Sequence, residues 1–435
     1  MTDAPAPQLD EPSPANKHHA LLRTMGLWSL VVYGVGDMLG AGIYVTIGQA
    51  VGVVGNTVWL TFLASMLAAM FTGLSYACLG SRYPRSAGAA YIAQRAFGRP
   101  MLSYMIGLAV AASGLTSMAT ASNGFAEYFS KLTGPLPTRL VVIGFIIVLT
   151  MVNLRGMRES TWLNILCTTI EAGGLVFIVI VGLRYWGNVD YLEMPQHATI
   201  GPTSLVLQGA VLTFYSFVGF EDLLNVSEEV KDVERNLPRA LIMALIVVAI
   251  LYAAVSITAI SVVPHAELAR SGGPLVEVVR RAAPWCPPIL FTGVCLFAIT
   301  NTALLNYIMG SRLIYGMAQQ GLLPAVLGRV HAKRRTPHVA ILALMLVVIS
   351  LAMVGDIKVL AKATSVLLLA VFTIINLALV VLKNRSGEPK GTFEVPTFVP
   401  VIGALICLVL IWHAQIWELL IALILLPAIA ILYVL

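Results

Sequence analysis

Gly34-Val35-Gly36-Asp37-Met38-Leu39-Gly40-Ala41-Gly42-Ile43-Tyr44 lies in the middle of an apolar span. A second stretch of the same kind, Phe214-Tyr215-Ser216-Phe217-Val218-Gly219-Phe220-Glu221-Asp222, interrupts another. Both are rich in glycine or small residues, and both carry carboxylates. Glycine weakens a helix by about 1 kcal/mol relative to alanine. A charge near a bilayer centre costs about 2.5–3.5 kcal/mol on insertion scales. Unwound backbone survives at that depth only where protein or a water-filled cavity satisfies it. A chain that carries both costs twice uses the freed backbone to hold something.

The composition makes these spans membrane spans. The chain is 58% hydrophobic and 11% charged, against roughly 25% charged in soluble domains. The reading is an all-α, multi-pass integral membrane protein. Its net charge of +6 is not a nucleic-acid signal, because the basic residues sit in short loops between spans. Cys78, Cys167, Cys286, Cys295 and Cys407 lie in or beside apolar spans without a CxxC spacing. They read as small buried hydrophobes rather than a disulfide or metal set. No P-loop lysine, HExxH or GxSxG pattern is present. The histidines form no metal-ligand spacing. The expectation is no enzyme, no cofactor and no metal. Residues 1–23 read as a disordered cytoplasmic tail without a cleavable signal.

Twelve apolar spans are expected at about 27–53, 56–80, 101–130, 139–154, 160–185, 204–228, 239–263, 285–311, 338–354, 358–382, 398–414 and 416–435. With the tail inside, 19 Lys/Arg fall in the tail and inner loops, counting Arg312, and seven in the outer loops; Lys362 lies within a span. That excess places both termini in the cytoplasm. The glycosylation matches at Asn225 and Asn384 then face the cytoplasm and are chance. The order of features also repeats. A broken span, a second span and a long third span start at residue 27 and again at residue 204, with the breaks about 177 residues apart. Five spans per unit is odd, so the second unit enters the membrane inverted. Paired breaks in such inverted repeats point to a transporter's binding site. The units are residues 24–185 and 204–385, with 396–435 as a peripheral pair of helices.

Several motifs carry a family likeness. Gly40-Ala41-Gly42-Ile43-Tyr44 resembles the G-[SA]-G-I-[FY] motif of the amino acid–polyamine–organocation superfamily. Phe214 to Glu221, then Glu228-Glu229-Val230-Lys231 and Asn236-Leu237-Pro238-Arg239-Ala240, resemble its sixth-span signature. Arg82-Tyr83-Pro84-Arg85-Ser86-Ala87-Gly88-Ala89-Ala90-Tyr91 resembles the loop between its second and third spans. Ser311 to Ala318, with Gly321-Leu322-Leu323-Pro324, resembles the end of its eighth. The likeness covers about residues 24–385 and is nearest to bacterial permeases related to the cationic amino acid transporters. It implies the leucine-transporter fold, twelve helices in five-plus-five inverted repeats with helices 1 and 6 broken. It also implies amino acid transport with protons or by exchange.

An amino acid presents a carboxylate and an ammonium. A helix N-terminus suits the carboxylate. The amides of Ala41, Gly42 and Ile43 are therefore the expected cradle. Carbonyls before Gly40, with those near Phe214, Ser216 and Phe217, are expected to face the ammonium. A plainer reading is that these glycines only allow close helix packing. The resemblance places Tyr215 and Phe220 where relatives cover the substrate. It also places Ser113, Gly114 and Asn306 on site-facing positions. Three carboxylates are candidates for proton coupling or gating. Asp37 lies one turn before Ala41, and so faces the same cavity or simply lines water. Glu221 ends the second break, as a gating or proton-handling residue or as a cap. Glu171, seven residues after Asn164, stands where proton-coupled relatives can carry a lysine. It is a proton carrier, a sodium ligand, or a glutamate bonded to nearby backbone.

The expected function is a secondary amino acid permease of the cytoplasmic membrane. It works by alternating access, coupled to protons ahead of sodium. One alternative is an exchanger of amines or polyamines, motivated by Asp37. Another is a non-transporting membrane sensor.

Overall fold

The computed structural model describes residues 21–86, 88–134, 136–195, 201–271, 273–353, 358–414, 419, 420 and 423. The tail before residue 21 and nearly all of the expected twelfth span lie outside them. The first elements are α1 (Leu27–Val54), α2 (Val58–Arg82), α3 (Gly88–Phe97), α4 (Pro100–Thr133), α5 (Thr138–Arg155) and α6 (Met157–Gly182). Then come α7 (Pro202–Phe214), α8 (Asp222–Asn225), α9 (Val233–Val262), α10 (His265–Arg270), α11 (Pro274–Ala282) and α12 (Pro288–Gln319). The last described helices are α13 (His338–Met353), α14 (Lys358–Asn384) and α15 (Phe398–His413). Nine described segments are long and apolar enough to cross a membrane, while α13 and α15 are apolar but shorter. The molecule is a multi-pass helical membrane protein.

The outer faces fit a lipid solvent. On α15, Val401, Leu405, Leu408 and Trp412 are exposed, while Gly403, Cys407 and Leu410 are buried. Spacings of three and four put each set on its own face of the helix. The buried face meets α14 and α2, with Gly403 pressed against Asn376. The centre of the bundle is α1, which packs on α6, α7, α9 and α12.

Two boundaries differ from expectation, each for a visible reason. α9 begins at Val233, six residues before the expected start, and carries Pro238 inside it. Proline has no N–H to offer the carbonyl four residues back. The Thr392 hydroxyl donates to that carbonyl, Glu234 O, instead. α12 runs to Gln319, so Arg312 is not a loop cation. It is fully buried in the helix. Its guanidinium donates to both Glu229 carboxylate oxygens at 3.1 and 3.3 Å and to Asn153 Oδ1 at 2.6 Å. A paired, hydrogen-bonded guanidinium is one a buried helix can carry.

The same Glu229 fastens the chain before α1. Its carbonyl accepts from Thr24 N and Met25 N at 2.9 and 3.1 Å, and Lys231 N donates to Met25 O at 2.9 Å. A parallel bridge joins Met25 and Val230. The start of the first span is thus stitched to the segment that follows α8.

Candidate functional site

α1 is helical on both sides of one residue. Gly40 has φ 20° and ψ −165°, and a Cβ there would sit 2.7 Å from Thr302 Oγ1. A helix restarted after Gly40 has first-turn amides with no carbonyls behind them. The second break is longer. α7 ends at Phe214, Tyr215–Phe217 make a 3-10 turn, Val218 is extended, and Gly219 turns at φ 128°. A Cβ on Gly219 would lie 3.0 Å from the Asp37 carbonyl carbon. The two breaks are therefore in contact, and glycine is what lets them touch. Ser216 Oγ and Thr46 Oγ1 add a hydrogen bond of 2.7 Å between them.

A cavity of about 40 Å³ opens between the breaks. α1 lines it with Asp37, Met38, Gly40 and Gly42, and the second break with Tyr215, Val218, Gly219 and Asp222. α4 adds Ser113 and Ser117, and α12 adds Thr302 and Asn306. Asn306 Nδ2 donates to Thr302 O at 2.8 Å and reaches Ser117 Oγ at 3.5 Å. The Tyr215 hydroxyl bonds Ser117. Ordinary ligand pockets hold about 300–1,000 Å³, so this one is closed and its walls must part to admit a ligand.

Of the expected site residues, Gly40, Gly42, Ser113, Tyr215, Asn306 and Asp37 line the cavity. Gly114 lies beside it, against Met309 and Asn306. Ile43 is fully buried in the core, and Ala41 directly follows the break at Gly40. Three aromatics pack elsewhere. Phe214 and Phe220 meet Phe372, Phe220 also meets Tyr76, and Phe217 meets Tyr252. All three are buried and do not line the cavity. Their spacing carries them to the far side of the break, where apolar neighbours wait.

The carboxylates separate into two groups. Glu221 Oε2 accepts the Gly219 N–H at 2.9 Å, which braces the turn before α8 and does not cap the helix. It lies within electrostatic reach of Asp37. Glu171 is fully buried in α6, and neither of its oxygens has a hydrogen-bond partner in favourable geometry, though Asn301 lies beside it. Asn301 Nδ2 donates to Thr168 Oγ1 at 2.9 Å and to Gly36 O at 3.3 Å. Asn164 Nδ2 donates to Asn301 Oδ1 at 3.0 Å. Glu171 therefore sits on a polar cluster that grips α1 one residue before Asp37.

Besides Met38, Val218 and Gly219 on the cavity wall, sequence reasoning missed four residues. Asp222 directly follows Glu221, and it rather than Glu221 lines the cavity. Ser117 and Thr302 lie one turn from Ser113 and Asn306, a helical spacing the sequence could have offered. Tyr252 carried no signal at all. Its hydroxyl reaches Met38 O, Leu39 O at 3.2 Å and Ser216 O at 2.9 Å.

The sequence has relatives among known proteins. A family model described as "Amino acid permease" matches residues 25–430. The chain belongs to the amino acid permease family. Among relatives of this permease is the methylthioribose transporter of Bacillus subtilis (strain 168), 27% identical, with 92% of this chain and 90% of the relative aligned. The branched-chain amino acid permease BcaP of the same organism is 26% identical, over 90% and 88% of the two chains. The vacuolar cationic amino acid transporter 4 of Arabidopsis thaliana is 28% identical, over 86% of this chain and 65% of its own. These relatives are permeases and transporters, not enzymes, and the names span different solutes.

Proposed function

We propose that this permease carries amino acids by alternating access around the cavity between Gly40 and Gly219, driven by protons. The contact of two glycine breaks over a polar cavity carries the reading. In a membrane, breaks of this kind mark the binding site of inverted-repeat carriers. The proposed architecture is twelve spans in five-plus-five inverted repeats, with both termini cytoplasmic and the cytoplasmic membrane as the location. The amides that follow Gly40 bind the substrate carboxylate. Tyr215 and the Ser117–Asn306 pair shape the space beside it.

Glu171 is the proposed proton carrier. It is buried and lacks a settled hydrogen-bond partner. Asn301 links its cluster to the Gly36 carbonyl. Tyr252, which bonds both breaks, lies within electrostatic reach of it. A change of charge at Glu171 is thereby felt where the substrate sits. Glu221 holds the turn at Gly219.

Flux decides the reading. In proteoliposomes, labelled amino acids should accumulate under an inward proton gradient and exchange against unlabelled substrate. No accumulation under any imposed proton, sodium or exchange gradient would end it.

A further inference from the structure

Main-chain carbonyls at the breaks are the expected holders of the substrate ammonium, and here their place is taken. Met38 O, Leu39 O and Ser216 O converge on one point, and that point is the Tyr252 hydroxyl. Tyr252 is fully buried, with its ring between Phe62 and Phe217. An ammonium cannot share the position of a packed phenol. It must find its acceptors elsewhere on the cavity wall.

The wall offers two. Asp37 and Asp222 both line the cavity, within electrostatic reach of each other. They are 8% and 4% exposed. Asp222 Oδ1 accepts from Asn225 at 3.3 Å, but Asp37 Oδ2 has no partner. Among the described residues, no ion pair engages Asp37, Asp222 or the neighbouring Glu221. Arg312 is spoken for by Glu229. The three carboxylates are also not arranged to close on a single metal ion. A buried carboxylate with a free oxygen and no protein cation favours an external one that brings its own N–H donors.

We propose that Asp37 and Asp222 together form the ammonium subsite, so that the cavity recognises primary amines whether or not they carry an α-carboxylate. This rests on the permease reading above. It departs from main-chain recognition, because side-chain charge replaces backbone dipoles as the partner of the ammonium. A carboxylic acid stripped of its amine then meets two carboxylates and is rejected by like charge.

The test compares each amino acid that stabilises the purified full-length protein with its decarboxylated and deaminated analogues. Leucine, 3-methylbutylamine and 4-methylpentanoate form one such set. Lysine, cadaverine and 6-aminohexanoate probe whether either amine of a diamine suffices. The decarboxylated amines should bind within about tenfold of the amino acid, and 4-methylpentanoate should not bind. Asp37→Asn and Asp222→Asn should each weaken amine binding by about 30-fold or more, and Asp222→Glu should restore part of it. Binding of 4-methylpentanoate with no binding of 3-methylbutylamine would overturn the proposal while leaving amino acid transport standing. Sodium-dependent stabilisation abolished by Asp37→Asn, without any amine effect, would overturn it too. If no amino acid or amine binds, the permease reading fails with it. The ligand comparison needs only the natural protein, so a variant that does not fold cannot rescue the idea.

Discussion

At Gly40, conformation and space make the same demand. The residue takes a φ that L side chains rarely adopt, and Thr302 fills the volume a Cβ would need. Strain of this kind costs about 1–3 kcal/mol, which a bundle of this size absorbs. Gly40→Ala should therefore leave the protein folded in detergent while uptake falls by about a hundredfold, since small misplacements of a binding wall are costly. Full uptake by this variant would deny the break its role. Glu171 makes a separable prediction. Glu171→Gln keeps the shape and the link to Asn301 but cannot carry a proton. Proton-driven uptake should collapse while exchange of amino acid for amino acid persists; an unchanged pH dependence removes Glu171 from the coupling step.

Among the elements, two fastenings hold the ends of several spans. The first joins α12, the segment after α8 and the chain before α1 through Arg312, Glu229 and Met25. Removing one partner leaves a charge buried and alone, at a cost of about 3–5 kcal/mol. Arg312→Gln should lower the melting temperature sharply, and Arg312→Gln with Glu229→Gln should recover much of the loss. The second clasps the stretch between α14 and α15 to the end of α2. Glu394 takes a bidentate pair from Arg82 at 2.6 and 2.7 Å and is near Lys383 at 3.5 Å. Partial burial disfavours its charge, but Arg82, the Gly391 amide and Lys383 outweigh that and hold the carboxyl down at about 2. A depressed carboxyl stabilises the fold above its ordinary value of 4.5, and that contribution is lost as pH falls through about 2. Hydrogen-exchange protection of residues 385–396, relative to the intrinsic rate at each pH, should stay high at pH 5 and fall progressively below about 4.5. Protection that does not change with pH would show that the clasp does not depend on the ion pair. Both fastenings lay beyond sequence reading. Their partners are dozens to hundreds of residues apart, and neither periodicity nor composition says which buried charge meets which.

Over the whole molecule, what periodicity and glycine could encode was legible. Apolar runs of helical length gave the described spans to within a few residues, except where Pro238 and Arg312 masked the true ends of α9 and α12. The two breaks stood out because glycine and carboxylate are costly in lipid, and their contact through Gly219 and Asp37 confirms that they meet. The cavity wall was legible only in part. Gly40, Gly42 and Asp37 stood out in the first break, but Asp222 was overshadowed by Glu221, and the turn at Gly219 decides which of them faces inward. Of the two aromatics placed by likeness, Tyr215 lines the cavity, whereas local turn geometry sends the Phe220 ring into the apolar core beside Phe214. Tyr252 acts from α9 well past its motif at Asn236–Ala240, through three backbone carbonyls that no sequence pattern describes. The account stands on the claim that these two breaks enclose the substrate. Its most direct measurement is alkylation of Ser117→Cys, on the cavity wall, in a protein otherwise free of cysteine. A transported amino acid at saturating concentration should slow that alkylation strongly while leaving a cysteine at the lipid-facing Leu405 untouched. Equal alkylation with and without substrate, in protein that still transports, would place the substrate somewhere else.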